Sequence, residues 1–199
     1  MLSSGKNMAG HWIAAIFIFV VFCATVSGAP YLGGGNRNHP YDFIEFFTKP
    51  KENIWTYMSS WDGAFTCQRA IITNISRTTV VVQTNYTLNG AKRSFITEGQ
   101  LSNVWYPNGK RNVMTISDFT ESYDRLKKEL VYASEDKMCA VIEVGRYYGR
   151  PTVTFDLLLK ESKLQDGPSD RCMIEYNENI EARSIRGTNR TVYTAACRS

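Results

Sequence analysis

The chain has 199 residues, of which 23 are basic and 19 acidic, giving a formal charge of +4, and 43% are hydrophobic. That length suffices for one domain to bury a full core without metal or oligomerisation, so a monomer is expected. The basic residues are spread along the chain, with clusters no longer than "KRS" and "GKRN", so neither nucleic acid nor an anionic membrane is expected as a partner.

Residues 1–28 read as a secretory signal peptide. Lys6 supplies the positive charge, "WIAAIFIFVVFCATV" the apolar stretch, and "VSG" ahead of Ala29 the small residues of a cleavage site. The apolar stretch falls short of the roughly twenty residues a spanning helix needs, so the protein is expected to be secreted with no membrane span. Removing the segment takes away one lysine and one cysteine, leaving 22 basic against 19 acidic residues. The four remaining cysteines, Cys67, Cys139, Cys172 and Cys197, form an even set in an oxidising compartment. They read as two disulfides, with three connectivities open. Three sequons, at Asn74, Asn85 and Asn189, are candidate glycosylation sites.

Residues 29–39, "APYLGGGNRNH", are rich in glycine and asparagine and read as a flexible arm ahead of a single domain over 40–199. In "PYDFIEFFTK", Phe43, Phe46 and Phe47 fall at helical spacing and predict a short helix with one apolar face. From Trp55 to about Leu159, β-type runs recur every ten or so residues: "FTCQRAIIT", "TTVVVQTNYTL", "KRSFITE", "LSNVWYP", "NVMTISDF", "KELVYAS", "KMCAVIEVG" and "PTVTFDLLL". "LNGAK" and "YPNGKRN" each contain Asn-Gly, a strong hairpin signal. Seven or eight consecutive antiparallel strands suggest an up-and-down barrel in an all-β protein. Then "SDRCMIEYNENIEARSI" reads as a helix capped by Ser169 or Asp170, and "TVYTAAC" as a short extended end.

Strand parity orients the side chains. A glycan on Asn85 must face solvent, which puts Val81, Gln83 and Thr87 outside and Val80, Val82, Thr84 and Tyr86 inside. If Cys139 bonds a partner outside the barrel, Met138, Ala140, Ile142 and Val144 face in, so the interior is expected to be apolar. The last strand offers two readings: Val153, Phe155, Leu157 and Leu159 either line the interior or carry the C-terminal helix. In the second case Asp156 enters the cavity, where a carboxylate needs a cation or hydrogen bonds.

Nothing points to catalysis. His39, the one histidine after the signal segment, lies in the arm, both disulfides consume the thiols, and the carboxylates are scattered. No metal site, cofactor or phosphate-cradling loop is expected, and the protein is not expected to be an enzyme.

Four stretches, "YDFIEFFT", "WDGAFTC", "KMCAVIEV" and "NRTVYTAACRS", together resemble the tick salivary lipocalins, the group that includes the histamine-binding proteins. The resemblance implies an eight-stranded barrel with a C-terminal helix outside, and disulfides Cys67–Cys197 and Cys139–Cys172. It also implies a cavity for a small host mediator, either a biogenic amine such as histamine or serotonin or a lipophilic eicosanoid or sterol. Some members act on complement or host immune cells, so a host protein is a further expected partner. By the same resemblance, Asp156 and Glu98 match cavity carboxylates, although a solvated hairpin end also suits Glu98. Ala140 stands where histamine binders have an acid, and "TYMSS" is a shortened stretch that loses another. This depleted acid set, with Trp55, Tyr57, Trp61, Tyr86, Trp105 and Phe119, favours a lipophilic ligand, as in the japanin-like branch that modulates immune cells. The expected ligand-binding residues are Trp61, Tyr86, Glu98, Trp105 and Asp156. For Trp61 the competing role is a plug at the closed end of the barrel.

Overall fold

The computed structural model describes residues 41–103, 109–117, 125–146, 152–183 and 189–198. The expected signal peptide and arm, and Trp105 and Phe119, lie outside them. Eight strands form one antiparallel barrel: β1 (Ile54–Ser59), β2 (Phe65–Ile75), β3 (Thr79–Leu88), β4 (Ala91–Ser102), β5 (Val113–Ser117), β6 (Arg125–Ala133), β7 (Cys139–Arg146) and β8 (Thr152–Lys160). Each pairs with the next, and β1 closes the barrel by pairing with both β2 and β8. A two-residue strand, β9 (Arg190–Thr191), adds to β1.

The segment read as a separate strand, "LSNVWYP", contributes Leu101 and Ser102 to the end of β4. β4 runs straight through Gly99, because that residue is a close approach and not a break. A Cβ there would sit 2.6 Å from Met114 Cγ on β5. The eighth strand is β1. Of the extended piece expected for "TVYTAAC", only Thr191 is strand; residues 192–194 have no regular structure and Ala195–Arg198 form a 3-10 turn.

Helix α1 (Phe43–Thr48) is capped by Asp42, whose Oδ1 accepts from Ile44 N at 2.7 Å and whose Oδ2 accepts from Arg111 N at 3.2 Å. Phe43, Phe46 and Phe47 are all buried in a cluster with Ile54, Leu130 and Ala140. Burying each phenylalanine contributes about 1.5–3 kcal/mol. These rings close one end of the barrel. Below them Lys160, fully buried, donates to Pro50 O at 2.7 Å and places its ammonium 4.9 Å from the centre of the Phe46 ring.

Helix α2 (Asp170–Ala182) starts at Ser169, whose Oγ accepts from Cys172 N. It lies on the outside of β7 and β8, where Cys172 and Tyr176 pack with Val141, Phe155, Leu157 and Leu159. Cys139 is bonded to Cys172 and Cys67 to Cys197, with Cα–Cα separations of 6.5 and 5.2 Å. At the far end of α2, Arg183 pairs with Glu143 on β7 at 2.8 Å. The fully buried Tyr176 donates its hydroxyl to Asn189 Oδ1 at 3.0 Å.

Candidate ligand-binding site

Because α2 covers the face of β8 that carries Phe155, Leu157 and Leu159, strand alternation turns Thr152, Asp156 and Leu158 inward. On β3 the inner residues are Val82, Thr84, Tyr86 and Leu88, and on β7 Ile142, Val144 and Arg146. Together the strands enclose a cavity of about 960 Å³, with α1 at one end and Trp61, Phe65, Phe95 and Thr152 towards the other. Its wall is mainly apolar, with Ile72, Val82, Met114 and Ile116 among its middle layers.

Three charged side chains break that wall: Lys128 on β6, Arg146 on β7 and Asp156 on β8. Asp156 accepts from Ser59 Oγ at 2.6 Å across the β1–β8 pair. Burial raises the pKa of its carboxyl, against the pull of that hydrogen bond and of the nearby Lys128, Arg146 and Arg190 charges. Burial likewise lowers the pKa of Lys128; Asp156 opposes the shift and Arg146 adds to it. Arg146, also lowered by burial, donates to Thr154 Oγ1 at 3.1 Å and lies 4.3 Å above the centre of the Trp61 ring.

Trp61 is 37% exposed and packs its ring on Phe65. Its backbone N donates to Ser59 Oγ and its carbonyl accepts from Arg190 Nε at 2.8 Å. Gly63 in "WDG" makes room for the ring, since a Cβ there would lie 2.7 Å from Trp61 Cζ3. The residue therefore lines the end of the cavity opposite α1.

Of the residues singled out in the sequence, the structure gathers Trp61, Tyr86 and Asp156 around the cavity. Tyr86 meets Phe95 edge to face, with ring centroids 5.7 Å apart. Glu98 does not join them. It pairs in register with Val81 on the outer face of the β3–β4 hairpin, is exposed, and accepts from Gln100. Trp55 meets Tyr193 edge to face and Tyr57 stacks on the same ring, under the chain end and outside the barrel. The sequons at Asn74 and Asn189 are exposed, and Asn85 lies on the outer face opposite Ser94.

Lys128 and Arg146 are the site residues that sequence reading missed, although parity carried a signal for both. Adjacent lysines on a strand point to opposite faces, so one of Lys127 and Lys128 had to enter the barrel. Lys127 pairs outside with Glu129 at 2.9 Å. On β7, extending the inner set Ile142, Val144 by two residues reaches Arg146.

No protein-family model and no curated protein sequence matches the chain. Solved structures do. The serotonin complex of AM182 superposes with a TM-score of 0.58 at 10% identity, over 79% of this chain and 93% of that one. The bovine lipocalin allergen Bos d 2 gives 0.54 at 14% identity, over 75% and 95%. The fold is that of a lipocalin. With the lipocalin barrel established, the cavity is the place where the fold holds small ligands.

Proposed function

We propose that this lipocalin is a secreted carrier that takes a small lipophilic host mediator, of the sterol or eicosanoid class, into its barrel and so dampens a host inflammatory or immune response, as the resemblance to tick salivary lipocalins suggests. The observation that carries the reading is the mostly apolar cavity of about 960 Å³ within the barrel, near the upper end of the range for drug-sized ligands. The signal-like N-terminus, the two disulfides and the three sequons support secretion. Native mass spectrometry of protein purified from secreting eukaryotic cells is expected to show a co-purified lipid. An empty cavity that also refuses cholesterol and fatty-acid-derived mediators would overturn the proposal.

Asp156 supports a second reading. A carboxylate inside the barrel, in a cavity that Trp61 and Tyr86 also line, is the kind of group that holds an amine, and the structurally similar AM182 is known in complex with serotonin. Against it, Lys128 and Arg146 share the cavity and repel an ammonium. Calorimetry with serotonin and histamine separates the readings. The carrier of a lipophile gives no heat with either, whereas an amine scavenger binds one of them and loses it in Asp156→Ala.

A further inference from the structure

The charged groups in the cavity are unequally partnered. Asp156 has Ser59, and Arg146 has Thr154 and the Trp61 ring. Lys128, which sits opposite Met114 and Val144 in the strand register and lines the cavity, has neither a hydrogen bond nor an ion pair among the described residues. The charges that face it are Asp156, which attracts it, and Arg146, which repels it. Among the described residues that line the cavity, two cations against one carboxylate leave one positive charge in excess. A proton passed from Lys128 to Asp156 leaves that excess unchanged, since Arg146 keeps its charge.

A sterol hydroxyl leaves this excess uncompensated once it displaces cavity water, and an amine increases it. One anionic head group cancels it. We propose that the cavity selects an amphiphile with a single carboxylate, held by Lys128 with Arg146 beside it, and an apolar chain lying against Ile72, Val82, Met114 and Ile116. The inference rests on the carrier reading above and names its ligand class. Arg146, stacked on Trp61, places a second cation on the side of Lys128 that leads towards Thr152. The head group therefore lies in the half of the barrel away from α1.

The test compares oleic acid, oleyl alcohol and cholesterol by titration of the delipidated wild-type protein at neutral pH. The acid is expected to bind at least about tenfold tighter than the alcohol of the same chain, the size of effect a charge-assisted hydrogen bond gives. Lys128→Met is expected to erase that preference while keeping alcohol binding within about threefold, and Lys128→Arg to restore it. Should Lys128→Met fail to fold, Lys128→Gln serves in its place. Equal binding of acid and alcohol by the wild type, or a preference that survives Lys128→Met, overturns the head-group assignment and leaves the carrier reading standing. Failure of all three probes to bind overturns both.

Discussion

Lys160 offers a quantitative check on how the closed end is built. Its ammonium is fully buried beneath α1, and burial lowers its pKa to about 8 against a partly offsetting attraction from Glu52. In the unfolded chain the amine titrates near its ordinary value of about 10.4. Below pH 8 both states bind the proton, and the fold carries the full burden of a buried cation. Between pH 8 and about 10.4 the unfolded state binds more protons than the folded one, so this group's contribution to stability rises with pH. From pH 7 to 9.5 the rise is about 2 kcal/mol, or roughly 4–8 °C in melting temperature for a domain of this size. Lys160→Met removes the titration while keeping an unbranched side chain over the Phe46 ring. Urea unfolding of both proteins at pH 7 and 9.5, disulfides intact, isolates the term. The stability difference is expected to move by about 2 kcal/mol in favour of the wild type as pH rises. Tyr176, whose phenol burial pushes well up, stays protonated in the folded state across this window and is common to both proteins. A difference that stays constant within about 0.5 kcal/mol would refute the placement of a protonatable, desolvated amine under α1.

Other substitutions test the outer supports. The double variant Cys67→Ser, Cys197→Ser opens a bridge across 130 residues and is expected to lose up to about 4–5 kcal/mol in denaturant titration, with unchanged unfolding counting against a stabilising bridge. Tyr176→Phe deletes only the hydroxyl that reaches Asn189 and should cost about 1 kcal/mol in the same assay; a neutral result would mean that solvent replaces the bond without loss. Gly99→Ala forces a Cβ against Met114 and Val80 and is expected to lower stability by about 1–3 kcal/mol, seen as a lower urea midpoint, whereas an unshifted midpoint would show that β5 yields freely.

Much of the barrel was legible because antiparallel strands impose a period of two. The inner sets on β3 and β7 follow from parity once Asn85 and Cys139 are placed on the outer face, and the three phenylalanines of α1 from helical spacing. The strand count was harder to read. The runs "KRSFITE" and "LSNVWYP" read as separate runs, yet Gly99 between them is a point of close approach to Met114 on β5, a neighbour that local pattern does not show. Glu98 was decidable in principle. The two-residue turn Asn89–Gly90, both residues at positive φ, sets Leu88 opposite Ala91 and so Val81 opposite Glu98. Val81 had already been assigned to the outer face, and the register carries Glu98 there with it. Trp61 could not be placed in this way, since it follows β1 and its position depends on Gly63, Phe65 and Arg146, which come together only in the folded barrel.

The polarity of the cavity is settled by what packs outside it. α2, bonded through Cys172 to Cys139 and seated on Phe155, Leu157 and Leu159, takes the apolar alternate residues of β8. The other alternates, Thr154 and Asp156 among them, are left to the interior. Taken alone, β8 would make a negatively charged cup suited to an amine. β6 and β7 reverse that sign, because among the described lining residues Lys128 and Arg146 stand on the same inner surface, two strands and one strand from Asp156 respectively, and outnumber it. A single acidic position therefore does not identify an amine site in this barrel; the sum over the three adjacent strands does. Substituting Lys128 and Arg146 together by uncharged residues would leave Asp156 as the one charged side chain among the described residues that line the cavity, and the chemistry the barrel accepts should move from anions towards cations.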